Sequence, residues 1–268
     1  MLKPEELLTR STYDTAAPAP ALAPWVEHYW SVAWQLPPGE RAHRATVWSP
    51  TVHLTVERGG VSRADTDGQG VWFTGPGTEG RFDVTLSGRG SVVGVKFRPG
   101  GVLAFVPVDL VSLLNRTVPA AEVFPETTAL HTIPDDAATA AHALDAWLLA
   151  QAPVDTRDLV RFREIWQLAE TQPITTVAEL ALHSGCSPRT IQRLFRHHVG
   201  GGAKRVLLRR RVSEALEAID RGGHDDWAGL AAELGWFDQA HFIRDFRRVT
   251  GHTPADYAER GGGGSGEQ

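Results

Sequence analysis

Two stretches near the C-terminal end carry side chains of the types that bond to base edges in DNA. Arginine can pair bidentately with guanine and glutamine with adenine, each contributing about 1–3 kcal/mol of discrimination between bases. Arginines toward the ends of such a helix are better placed for phosphates. At helical spacing, the first stretch presents Arg189, Thr190, Gln192, Arg193 and Arg196, and the second presents Gln239, His241, Arg244, Arg247 and Arg248. We therefore predict two DNA-contacting helix faces.

An internal repeat contains both stretches. Residues 177–200 and 227–251 share eight identical positions, at an offset of 50 before a glycine turn and 51 after it. In each copy a short helix should end at the glycine, where a left-handed conformation costs least. Ser187 or Asp238 then offers an N-cap oxygen for the next helix. Each copy therefore predicts a helix-turn-helix.

The segment between the copies is predicted to be one long helix. Residues 203–221 would span roughly 28 Å at 1.5 Å per residue. Such a strut could hold the two recognition helices about 34 Å apart, which is one turn of duplex. A single chain could then contact two successive major-groove segments on one face of DNA.

The charge distribution agrees with a nucleic-acid partner, although the whole chain has a net charge of −5. Residues 185–211 contain eight Lys and Arg residues and no Asp or Glu. Because electrostatic attraction decays within about 10 Å at moderate salt, local charge matters more than the total.

Length and composition indicate the number of domains and argue against a disulfide-linked, membrane-spanning or secreted protein. A chain of 268 residues has room for two domains that each bury a core. The single cysteine, Cys186, excludes an intrachain disulfide framework and suits a reducing compartment. No apolar stretch approaches membrane-spanning length, and the N-terminus lacks the apolar core of a secretory signal. We expect a cytoplasmic protein without a membrane partner.

The first part of the chain has the pattern of β-structure. Short runs rich in β-branched and aromatic residues alternate with glycine- and proline-containing turns. Strands are predicted over residues 28–36, 51–57, 71–74, 80–86 and 91–98, with helical segments near 101–115 and 137–151. Beyond residue 155 the pattern is helical, with helices over 158–171, 176–184, 188–199, 203–221, 227–234, 238–249 and 254–259.

The predicted fold class is α+β. A β-rich N-terminal domain with helices, a small barrel or cupin-like in form, would occupy residues 1–155. An all-α domain with two helix-turn-helix motifs joined by a long helix would occupy residues 156–260. Residues 261–268 are rich in glycine and predict a flexible tail.

Tryptophans concentrated in the first 72 residues offer two interpretations. They pack in a core, or they line a pocket for a small-molecule effector. The pocket candidates are Trp30, Trp34, Trp48, Trp72 and His28. No nucleophile elbow, paired-carboxylate site or metal-binding motif is present, so we expect no catalytic residue, no metal and no cofactor.

The repeat resembles the AraC/XylS family of transcription regulators. The second copy, LAAELGWFDQAHFIRDFRRVTGHTPADY, is similar to the C-terminal signature of that family, and GCSPRTIQRLFRHHVG to its first motif. HYWSVAW and GVKFRPGG resemble an N-terminal domain found in some members. The resemblance implies promoter DNA and RNA polymerase as partners, an N-terminal domain for effector sensing or homodimer formation, and Ala240 as a further base contact. Ile243 departs from the family pattern, because that position is frequently polar.

Two other functions remain open at this stage. The chain could be a ligand-independent DNA-binding or architectural protein, which a filled core around the tryptophans would favour. Alternatively, it could be a metal-binding β-domain enzyme with an auxiliary DNA module, which stoichiometric zinc or iron would favour.

Overall fold

The N-terminal part of the chain forms an antiparallel sheet. The computed structural model describes residues 11–47, 50–63, 65–66, 68–77, 81–221 and 226–262. Trp48 lies outside these residues. The strands are β1 (Ser11–Ala16), β2 (Val26–Gln35), β3 (Arg41–Val47), β4 (His53–Ser62), β5 (Gly70–Thr74), β6 (Arg81–Phe97) and β7 (Thr117–Pro119).

Strand β6 organises the sheet. The strand order is β1-β2-β6-β4-β5-β7, and β3 pairs with the first half of β6. The second half of β6 pairs with β2, while β4 runs along the opposite edge of β6. The prediction of two strands, over 80–86 and 91–98, was wrong. One strand continues through this region because Ser87 and Gly90 both keep partners on β4.

The first hydrophobic core lies against one face of this sheet. Alternate residues of β4 and β6 point into it, and the helix α1 (Ala137–Ala150) covers it. The hydroxyl of Tyr29 on β2 donates to Asp145 of α1 over 2.6 Å. This core also receives Leu159, which lies just beyond the predicted domain boundary at residue 155.

The helix predicted near 101–115 is wrong. The structure has a short 3₁₀ helix at Gly101–Ala104, followed by turns. Pro107 has no backbone N–H to donate and disfavours a continuous helix. The apolar residues that suggested a helix are buried in the first core instead: Val102, Phe105, Val106, Leu110 and Leu113.

The C-terminal part is helical, as predicted. Its helices are α2 (Arg157–Thr171), α3 (Val177–Ser184), α4 (Pro188–Val199), α5 (Ala203–Asp220), α6 (Trp227–Glu233), α7 (Gln239–Thr250) and α8 (Pro254–Gly262). Most bounds lie within one residue of the prediction. Helix α8 extends three residues further, into the predicted tail, and residues 263–268 lie outside the described part. No helix in the described ranges is long and apolar enough to cross a membrane.

Each helix-turn-helix has its own core. Phe162, Leu194 and Phe195 pack in one cluster, which also takes residues from the start of α5. Phe242 and Phe246 pack in another, with residues from the end of α5. Helix α5 therefore joins two separately packed units.

The N-terminal part that contains the sheet, called the β-domain below, contacts the first helix-turn-helix where the turn at Gly100 meets His198 at the end of α4. The imidazole is only 1% exposed and stacks on Phe162, with ring centroids 4.6 Å apart. Its Nδ1 donates to the carbonyl of Leu194 over 2.9 Å. Gly100, in the turn after β6, approaches both rings closely enough that a β-carbon there would lie 3.1 Å from His198.

Burial of His198 predicts a pH-dependent stability. Desolvation lowers its pKa from 6.5 to about 4. The unfolded chain therefore takes up a proton more readily, and the stabilising effect present above pH 6.5 is lost as the pH falls toward 4. Between pH 7.5 and 5 this group alone should reduce the free energy of unfolding by about 2 kcal/mol.

Urea unfolding at the two pH values tests this expectation. Because His198→Gln cannot titrate, its decrease should be about 2 kcal/mol smaller than that of the unsubstituted chain. An equal decrease in both proteins would show that His198 does not cause the effect.

Candidate nucleic-acid interface

Capping residues and turn glycines position α4 and α7, the two helices that are predicted to contact DNA and are called the recognition helices below. Thr176 and Glu179 form a capping box at the start of α3, and Ser187 caps α4 by accepting from the Thr190 N–H over 3.1 Å. Asp238 caps α7 by accepting from the His241 N–H over 2.6 Å. The turn glycines predicted at 185 and 235 have φ of 63° and 78°. The predicted caps and turns are thus confirmed.

Helix α4 turns its polar face to solvent. Ile191, Leu194 and Phe195 are fully buried on the opposite face. Of the predicted contacts, Thr190 is half-buried, and the exposed ones are Arg189, Gln192, Arg193 and Arg196. The structure therefore brings the whole first set together on one accessible surface.

Helix α7 repeats this arrangement. Phe242 and Phe246 are buried. His241 is half-buried, and the exposed members of the set are Gln239, Ala240, Arg244, Arg247 and Arg248. Ile243 packs partly buried against the second helical core, which gives this apolar residue a packing role.

An ion pair ties the first recognition helix to α2. Arg193 Nη1 donates to Asp158 Oδ2 over 2.7 Å, and both side chains remain about half exposed. The hydrogen bond from Arg193 holds the pKa of Asp158 below its usual value. Sequence reasoning missed this partner, which is 35 positions away along the chain. The predicted base contact of Arg193 would therefore require it to exchange this carboxylate for a base edge.

We expect Asp158→Asn to strengthen DNA binding. The substitution replaces the competing carboxylate by an uncharged amide, and exposed ion pairs contribute about 0.2–1 kcal/mol, so affinity should rise about 1.4- to fivefold with little change in stability. Fluorescence anisotropy with a promoter duplex measures this effect. Glu164→Gln removes the same charge from an exposed position of the same helix. An equal gain from Glu164→Gln would attribute the effect to net charge and not to release of Arg193.

A buried carboxylate organises the second recognition helix. Asp245 is 6% exposed and accepts hydrogen bonds from Trp236 Nε1 over 3.1 Å and from Arg248 over 2.8 Å. His241 Nε2 lies 3.2 Å from the same carboxylate. The guanidinium of Arg211 on α5 covers the Trp236 ring at 3.9 Å. Asp245 thus holds two of the predicted DNA contacts. Its spacing from His241 and Arg248 is the signal that sequence reasoning overlooked.

The four described members of the predicted effector set lie on one face of the sheet but are spread across it: His28, Trp30, Trp34 and Trp72. Trp30 donates to His53 Nδ1 over 3.3 Å, and Trp72 donates to the Gly68 carbonyl over 3.0 Å. Trp34 borders a cavity of about 750 Å³. His28 lies 3.5 Å from the carboxylate of Glu27.

Possible metal ligands and the single cysteine are the other reactive side chains of the described residues. Among them, no group of three or more His, Cys, Asp or Glu side chains is arranged to hold a metal ion. Cys186 is buried in the core of the first helix-turn-helix, and its sulfur accepts from Arg161 Nη2 over 3.1 Å.

Comparison with known families agrees with this geometry. Residues 180–260 match the family described as a helix-turn-helix domain, and residues 14–119 match a domain of unknown function (DUF6597). No curated protein matches the chain. The fold and the exposed helix faces define a DNA-binding transcription regulator. The family match covers residues 180–260, and their two helix-turn-helix units with the C-terminal signature are those of an AraC-type DNA-binding domain.

Solved structures of low sequence identity are also similar. ToxT from Vibrio cholerae has 10% identity, covers 86% of this chain and 98% of its own, and gives a TM-score of 0.45. ToxT with a bound unsaturated fatty acid has 11% identity, with coverages of 89% and 98% and a TM-score of 0.43. An AraC-type regulator from Chromobacterium violaceum has 18% identity, with coverages of 40% and 95% and a TM-score of 0.35.

Proposed function

We propose that this chain is a sequence-specific, cytoplasmic transcription regulator that reads promoter DNA with α4 and α7. The observation that carries the proposal is the repeated geometry of these helices. Each has a capped N-terminus, a buried apolar face in its own core and an exposed face of Arg, Gln and His side chains. Such side chains suit the major groove. The spacing of about 34 Å between the two helices stays a prediction.

The two parts of the chain would have different roles. Residues 1–155 would sense a small-molecule effector or pair with a second copy, and residues 156–260 would bind DNA and contact RNA polymerase. The stacked contact of His198 with Phe162, against Gly100, supports communication between the parts. A change in the β-domain at this turn would act directly on the end of α4.

Genome-wide mapping of sites bound by the full chain tests the proposal. We expect enrichment of a shared sequence upstream of genes, and loss of that enrichment in the double variant Arg193→Ala, Arg244→Ala. If bound sites share no sequence, or if the double variant occupies the same sites, sequence-specific reading by these helices is excluded.

A further inference from the structure

The turn of the second helix-turn-helix contains one residue more than the turn of the first. From the turn glycine to the N-cap, the first turn takes residues 185–187 and the second takes residues 235–238. Cys186 in the first turn and Trp236 in the second both follow the glycine, and both are buried. Phe237 is therefore the additional residue, and the first unit has no equivalent of it.

Phe237 does not contribute to the core of its own unit. Its side chain is 92% exposed. A residue directly before an N-cap often packs against the fourth residue of the helix, which is Phe242 here. Trp236 makes that contact instead, with its ring centroid 4.9 Å from that of Phe242. Because a single exposed apolar residue is common on protein surfaces, the position of Phe237 in the fold decides what it can contact.

The neighbours of Phe237 along the chain fix its position. On one side, Trp236 donates its Nε1 proton to the buried carboxylate of Asp245 over 3.1 Å, and the guanidinium of Arg211 covers its ring. On the other side, Asp238 caps α7 through the N–H of His241. The backbone at Phe237 therefore needs little further ordering when a partner binds.

Phe237 lies at the end of α7 that would enter the major groove under the proposed function. A recognition helix contacts base edges with its N-terminal residues, and Gln239 and Ala240 in the first turn of α7 are both exposed. Residues 235–239 contain no Lys or Arg, and the carboxylate of Asp238 would repel a phosphate. A base edge is therefore a better partner for this end of α7 than the phosphate backbone.

A phenyl ring matches one chemical group of the major groove. Base edges present hydrogen-bond donors and acceptors there, together with one projecting apolar group, the C5-methyl of thymine. The phenyl ring of Phe237 has no hydrogen-bonding group and gains affinity only by burying apolar surface. Burial of one methyl group against it should raise affinity about fourfold.

We propose that Phe237 is a specificity-determining residue, which contacts the C5-methyl group of one thymine in the DNA segment read by α7. The first unit lacks this contact because its turn is one residue shorter. The proposal rests on the proposed function, since it adds one base preference to the same DNA site.

Selection of bound duplexes from a random-sequence pool tests the proposal with the full chain and with Phe237→Ala. The two selected motifs should differ at one position, where the unsubstituted chain favours thymine and the variant does not. Leu182→Ala is the control, because Leu182 is an apolar residue of α3 that is 80% exposed and lies outside both recognition helices. It should select the same motif as the unsubstituted chain. Identical motifs for the unsubstituted chain and Phe237→Ala would overturn this proposal alone, whereas the absence of any shared motif would overturn the proposed function with it.

Replacement of the preferred thymine by uracil tests the methyl contact directly, because uracil lacks only the C5-methyl group. The unsubstituted chain should bind the uracil duplex about fourfold more weakly than the thymine duplex. Phe237→Ala should bind both duplexes equally, and Leu182→Ala should distinguish them as the unsubstituted chain does. Equal binding of both duplexes by the unsubstituted chain, or the same loss on uracil replacement in Phe237→Ala, would overturn the proposal.

Discussion

Replacement of Arg193 and Arg244 together by alanine should weaken binding of the native promoter by about 2–6 kcal/mol. Each arginine is expected to contribute about 1–3 kcal/mol through a bidentate pair with a base edge. The two lie on helices that pack in separate cores, so their effects should add. The loss should reach at least roughly thirtyfold in affinity.

Titration of a promoter duplex at fixed salt measures this effect, because phosphate contacts make affinity depend strongly on ionic strength. The matched control replaces Arg116 and Arg221, which are exposed and outside both recognition helices, by alanine. This control removes the same charge and should reduce affinity much less. Equal losses in the two double variants would mean that the arginines act only through general electrostatics.

Phe246→Ala should unfold the second helix-turn-helix unit while leaving the first one folded. Phe246 is fully buried and packs on Phe242 and Tyr257 with ring centroids 5.7 and 6.1 Å away. Its truncation to alanine should lower the free energy of unfolding of this unit by about 3–5 kcal/mol. The first unit is spared because Phe162 and Phe195 lie in another core.

Hydrogen exchange resolved by segment measures this selective effect. Protection should fall in α6, α7 and α8 and persist in α3 and α4. The control is Phe237→Ala, because Phe237 is 92% exposed in the turn before α7. Its hydrogen-exchange protection should equal that of the unsubstituted chain. Uniform loss of protection from α3 to α8 in Phe246→Ala would contradict two separately packed units.

The helical part could be predicted from sequence because its signals are local. Ser187 and Asp238 are good N-caps and cap as predicted, and the glycines at 185 and 235 adopt the left-handed conformation that the turns require. Apolar residues at helical spacing then identified the buried faces of α4 and α7.

The sheet was predicted less completely because its strands depend on partners distant in sequence. β1 is mostly exposed, so it lacks the alternation of buried and exposed residues that marks a strand. β6 remains one strand through Gly88 and Gly90 because neighbouring strands pair along it. Tertiary contacts also determine the Arg193–Asp158 pair. No local pattern could indicate it.

Protection of guanine N7 from methylation on a promoter site tests most directly whether one chain reads DNA with two helices, because N7 lies in the major groove. We expect protection of two successive major-groove segments, about one helical turn apart on one face of the duplex. Arg193→Ala should lose protection mainly in one segment, and Arg244→Ala mainly in the other. A single protected segment, or two segments weakened alike by either variant, would contradict the account.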